Sequence, residues 1–168
     1  MNAISRLRPK ALDWLGIVSL TLALWLGASL LLDLVVMPCL YQAGMLQEPA
    51  FVDAGYQIFG IFNRVEVLCA AVVMSGFLGL EGVSHKPILY PRVALVLAGL
   101  LLVIPLAYVY AITPYMSALG LSLDQFAEAE IPVTMSLMHA SYWLLELIKV
   151  AAIGSLLGIS QRTVHAPD

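Results

Sequence analysis

Met138-His139-Ala140-Ser141-Tyr142-Trp143-Leu144-Leu145-Glu146-Leu147-Ile148-Lys149 is the stretch on which the reading of this chain turns. It lies inside the last long apolar segment, where polar side chains are costly to place. His139, Tyr142, Glu146 and Lys149 follow i, i+3, i+7, i+10, so a helix gathers them into one stripe. Such a stripe faces the interior of a membrane bundle and finds partners there.

The rest of the chain agrees with a lipid solvent. Of its 168 residues, 61% are hydrophobic and only 11% charged, with a mean hydropathy of +0.94. A soluble domain carries about a quarter charged residues. Four apolar segments are expected as helices, near 12–36, 56–80, 90–112 and 131–159. Each reaches the roughly 20 residues that cross a hydrocarbon core of about 30 Å. Period-2 alternation is absent, so strands do not compete. The expectation is an all-α integral membrane four-helix bundle forming a single transmembrane domain over 1–168.

Local signals punctuate the segments. Pro38 and Pro114 are expected to stop or kink the first and third helices. Ser122 is placed to cap a short interfacial helix with Leu123, Phe126 and Ala127 on its apolar side. Glycines at 27, 60, 76, 79, 99 and 154 read as sites of close helix packing. Met1 to Lys10 resembles the start of a signal peptide. The apolar run after it is too long for an h-region and lacks an A-x-A site, so it reads as an uncleaved span.

Charge sets the expected orientation. Arg6, Arg8, Lys10, Lys86, Arg92 and Arg162 all fall on one side of such a bundle. The acidic loops 42–55 and 117–131 contain no Lys or Arg. The positive-inside rule then puts both termini in the cytoplasm and the acidic loops outside. An offset of 76 relates Pro38 and Gly44 to Pro114 and Gly120, and Asn63 to His139. Identities are few, so a tandem helical-hairpin repeat and coincidence are both open.

The candidate polar interior comprises Asp33, Asn63, Arg64, Glu66, His139, Tyr142, Glu146 and Lys149. Glu146 and Lys149 are three apart and pair within one helix. Arg64 points away from Glu66 and either meets Asp33 or snorkels outward. Two uses compete for these groups: an ion-pair network that fixes helix register, and a proton or ion pathway. A bis-histidine haem is excluded within one chain, because His85 and His165 lie outside the spans. Copper is the sharper metal alternative, with soft or borderline ligands Met37, Cys39, Met135 and His139 toward the outer side. Cys39 and Cys69 differ in depth, which argues against a disulfide between them.

No nucleophile elbow, phosphate loop or zinc motif occurs, and the loops leave no room for a soluble active site. The expectation is a non-enzymatic structural or accessory membrane protein without a cofactor. The alternative is copper handling or proton/ion-linked transport. Expected partners are the lipid bilayer and either further copies of the chain or a larger membrane complex. The scattered basic residues argue against nucleic acid.

Several short motifs resemble those of the DUF4149 / TMEM205-like four-helix membrane proteins. They are Val36-Met37-Pro38-Cys39-Leu40-Tyr41, Phe62-Asn63-Arg64, Ile112-Thr113-Pro114-Tyr115-Met116 and His139-Ala140-Ser141. The resemblance implies a multi-pass membrane protein without an established reaction. It also implies an Asn about two turns after the His of the fourth helix, where this chain has Glu146. A weaker similarity links the chain to copper-resistance membrane domains.

Overall fold

A computed structural model describes residues 14–45, 50–83, 90–124 and 133–164. Four long helices account for almost all of them: α1 (Trp14–Gln42), α2 (Ala50–Val83), α3 (residues 91–124) and α4 (Val133–Val164). Within them, Trp14–Gln42, Asp53–Leu80, Pro91–Ala118 and Ser136–Thr163 are long and apolar enough to cross a membrane. A 28-residue span is about 42 Å long at the α-helical rise.

The surface is that of a protein dissolved in lipid. Leu20, Leu24, Leu34, Val96, Val103 and Leu147 are all exposed. In water, apolar surface so extensive would drive aggregation. Tyrosines mark the span ends, as they do at headgroup level. Tyr41, Tyr56 and Tyr115 are exposed near one end and Tyr90 near the other.

Short connections make successive helices antiparallel. α1 packs on α2 and α4, and α3 packs on the same two, so the helices form a square ring. The apolar core fills the end at which α1 begins. Val18 and Leu22 meet Val73, Phe77, Ala94, Ala98, Ile153 and Leu156 there. Gly76 permits the closest approach, since a Cβ on it would collide with Cγ2 of Val18. The other described glycines read as packing sites have open space where a Cβ would go.

Of the two effects expected of the prolines, stopping or kinking, the stop does not occur. α1 runs past Pro38 and α3 past Pro114. Each proline instead follows one wide π-helical turn, at Leu32–Val36 and Tyr108–Ile112. Met37 N–H donates to Leu32 O, and Thr113 N–H donates to Tyr108 O. A proline ring clashes with the carbonyl one turn back and lacks an N–H. Widening the turn by one residue relieves both problems without breaking the helix. α1 closes at Gly44, which takes the left-handed conformation at φ 75°.

Helix α3 also runs through Ser122 to Asp124, so Ser122 lies within a helix rather than ahead of one. Its expected companions Phe126 and Ala127 lie outside the described residues. α2 begins at Ala50, so part of the acidic 42–55 segment is helical. Arg6, Arg8, Lys10 and Lys86 also lie outside the described residues.

Opposite the apolar core, the described side chains are mostly open to the surroundings. Over residues 133–144 of α4, only Met138 and Tyr142 are half-buried among the side chains described. The segment Met37–Gln42 of α1 likewise has no buried residue. The polar side chains of the interior sit where the closed half meets this open half.

Candidate functional site

The site is built from one position on each turn of α1. Trp25, Ser29 and Asp33 are four residues apart and therefore share a face. All three are buried. The wide turn at Leu32–Val36 lets both Leu32 and Asp33 face inward.

Glu66 of α2 is the main acceptor. Its Oε1 takes hydrogen bonds from Trp25 Nε1 at 2.9 Å and Ser29 Oγ at 3.3 Å. The Lys149 ammonium, diagonally across the ring on α4, pairs with the same oxygen. Lys149 also lies 2.7 Å from Glu146 Oε2. Its ammonium stands 5.5 Å from the Tyr108 ring centre and 5.9 Å from that of Phe62. Aromatic faces of this kind offer a cation a second layer of attraction.

Helix α3 closes the circuit. The Tyr108 hydroxyl lies 3.3 Å from both Glu146 Oε2 and the Tyr142 carbonyl oxygen. The Tyr108 and Tyr142 rings stack at 4.7 Å, and Phe59 meets Tyr142 edge-on at 5.6 Å. Asp33 is a third buried carboxyl, close enough to Glu146 for the two to interact electrostatically. Toward the open end, Asn63 Nδ2 donates to Thr113 Oγ1 at 2.9 Å. Every helix thus contributes to one buried polar network.

Removal of the phenol oxygen tests one link. Tyr108→Phe keeps the ring stack but deletes the bond to Glu146. It should lower stability by about 1.5–3 kcal/mol, the worth of a hydrogen bond to a charged group. Unfolding in mixed micelles, monitored by circular dichroism, measures this loss.

The network is not balanced. Asp33, Glu66 and Glu146 are buried carboxyl groups, and Lys149 is the one buried cation among the described residues. Glu66 Oε2, Glu146 Oε1 and Asn63 Oδ1 are buried without a hydrogen-bond partner among the described residues. The centre lies deep, since Glu66 and Lys149 fall at the midpoints of their spans.

Two members of the expected polar interior are elsewhere. Arg64 is exposed and does not meet Asp33, because it projects from the opposite side of α2 to Glu66. His139 is exposed, within the largely exposed first turns of α4. Asp33, Asn63, Glu66, Glu146 and Lys149 are buried, and Tyr142 is half-buried. Trp25 and Ser29 were not singled out from sequence. Their spacing with Asp33 is the signal that points to them.

The structure describes three of the four copper candidates with their side chains. Cys39 and His139 are exposed, Met37 is half-buried, and the Met135 side chain lies outside the described part. Among the described residues, no three of His, Cys, Asp and Glu are grouped as metal ligands. Cys39 and Cys69 are both free thiols.

Comparison with protein-family models, curated proteins and solved structures returns no match.

Proposed function

We propose that this chain is a multi-pass membrane protein whose buried carboxyl–lysine centre takes up and releases protons. It serves transport through its own bundle or as an accessory subunit of a larger membrane complex. The observation that carries this reading is three carboxyl groups around one ammonium at mid-membrane depth. A centre placed in hydrocarbon is least costly when neutral. Neutrality here needs positive charge beyond Lys149, and protons on the carboxyl groups supply it. Asp33 and Glu146 have the chemistry for this, since neighbouring buried carboxyl groups share a proton more readily than they hold two negative charges.

The shape of the bundle supports access from one side. Apolar side chains seal the end containing Val18, Phe77 and Leu156. Further polar groups lie the other way, with the Tyr108–Tyr142 bond and the separate Asn63–Thr113 pair toward the open end. Charge supports an outward-facing mouth: Arg92 and Arg162 lie at the sealed end, with the acidic loops at the other. A purely structural seam is the second reading, favoured by the participation of all four helices. It would be most stable with balanced charges.

A tandem origin for the two hairpins forms part of the proposal. The wide turns at 32–36 and 108–112 are related by the same offset of 76 as the prolines after them. Buried Val18, Leu22, Trp25, Ser29 and Leu32 correspond by that offset to buried Ala94, Ala98, Leu101, Pro105 and Tyr108. Only the first copy carries an acid at the wide turn. The resemblance to DUF4149 / TMEM205-like proteins is compatible with this reading and adds no substrate to it.

Proteoliposomes with a pH-sensitive dye inside test the proposal. An imposed pH gradient should collapse faster with the protein than without it. Glu146→Gln and Asp33→Asn should each lower that rate at least tenfold while leaving helicity unchanged. Infrared difference spectra should show a protonated carboxyl band that either substitution weakens. A rate equal to protein-free vesicles, together with no such band, would leave only the structural seam.

A further inference from the structure

Arg64 stands exposed on α2, on the side opposite Asn63, Glu66 and Ala70. Its surface neighbours Ile61, Val65 and Leu68 are exposed apolar side chains. No hydrogen bond or ion pair joins Arg64 to any described residue. This is the reverse of Lys149, which has two carboxylates and two aromatic faces around it.

Depth makes this exposure informative. In the span Asp53–Leu80, the Arg64 Cα lies about 4 Å from the midpoint by the helical rise. Its extended side chain climbs about 6 Å further toward the nearer surface. With a hydrocarbon half-thickness of about 15 Å, the guanidinium stops about 5 Å short of the headgroups. A guanidinium keeps its charge in proteins and does not escape the cost by neutralising. Charged residues at such depth normally face protein rather than lipid.

We infer that this face of α2 is an interface with a transmembrane helix of a different protein, one that presents an aspartate or glutamate at mid-membrane depth. A second copy of this chain does not meet the need. Face-to-face contact through α2 would oppose Arg64 with Arg64. The mid-span carboxyls of this chain, Asp33, Glu66 and Glu146, are all buried and committed to its own centre. A lipid phosphate falls short by the distance above. An Asp or Glu on a neighbouring helix reaches the guanidinium fork directly and bidentately. The inference rests on the membrane span and not on proton uptake by the centre.

The test uses the full chain in phosphatidylcholine vesicles. The probe is a synthetic transmembrane Leu/Ala helix with one central Glu, compared with the same helix carrying Gln. Energy transfer between dyes on protein and probe reports association. The Glu helix should bind about tenfold tighter than the Gln helix, the scale of a good interhelical polar contact. Arg64→Ala should abolish that preference, and Arg64→Lys should retain most of it. Helicity should be unchanged in both, since the residue is on the surface. Equal binding of the two helices to the unsubstituted chain overturns the inference. It is also overturned if added phosphatidylglycerol displaces the Glu helix and co-purifies only when Arg64 is present. A lipid headgroup is then the ligand.

Discussion

Replacing Lys149 by methionine is expected to destabilise the bundle by about 3–5 kcal/mol, the range for stripping one partner from a buried ion pair. Methionine matches the length of the lysine stem, so little packing is lost. What is lost is the charge between Glu66 and Glu146, which hold the diagonal of the ring together. Asp33 adds a third carboxyl to the same centre. The double change Lys149→Met with Glu66→Gln should recover part of the loss, because it removes a carboxylate along with its cation. Reversible unfolding in mixed micelles, followed by circular dichroism, gives both values. A Lys149→Met protein as stable as the original would mean that the ammonium does not neutralise this centre.

The second large effect is steric. Gly76→Leu places a side chain where Cγ2 of Val18 already sits, at the contact between α1 and α2. Overpacking a tight contact costs about 1–3 kcal/mol and sometimes more. A leucine here can escape only by separating two helices, so the upper part of that range is expected. Gly76→Ala should cost less, and Val18→Ala should rescue it by removing the methyl that collides. Gly154 is the control: a Cβ there meets nothing within 4 Å. Gly154→Ala should be neutral or slightly stabilising, since Ala favours the helix by roughly 0.8–1.0 kcal/mol. Destabilisation of equal size at both positions would refute the packing account.

The two expectations probe different halves of one design. At the sealed end, small residues and branched apolar side chains interlock, and geometry dominates. At mid-depth, the number of charges dominates. Asp33 shows why both matter. It sits in the wide turn at Leu32–Val36, where both it and Leu32 are buried, so backbone geometry and charge meet at one residue.

Much of this was legible in the residues. Four spans follow from length and hydropathy, because a bilayer imposes a minimum apolar length that few other environments demand. The pairing of Glu146 with Lys149 follows from a separation of three on a helix. Ends were harder to read, because proline's local effect depends on whether surrounding turns can widen. The destination of Glu66 was also hidden. Its partners Trp25, Ser29 and Lys149 are far away in sequence, and only the ring order of helices brings them together.

Arg64 and His139 mark the boundary most clearly. His139 looks like an interior residue when judged by type and span alone, and for Arg64 the period leaves two options, Asp33 or the outside. A periodic pattern says which residues share a face, but not which face meets a neighbour. By itself, the sequence determined the solvent, the number of spans and the residue types that need partners, since these depend on local composition and period. Tertiary structure alone decided which charges meet. It seats Glu66 and Lys149 across the ring and leaves Arg64 facing outward, because pairing depends on helix order, rotation and splay.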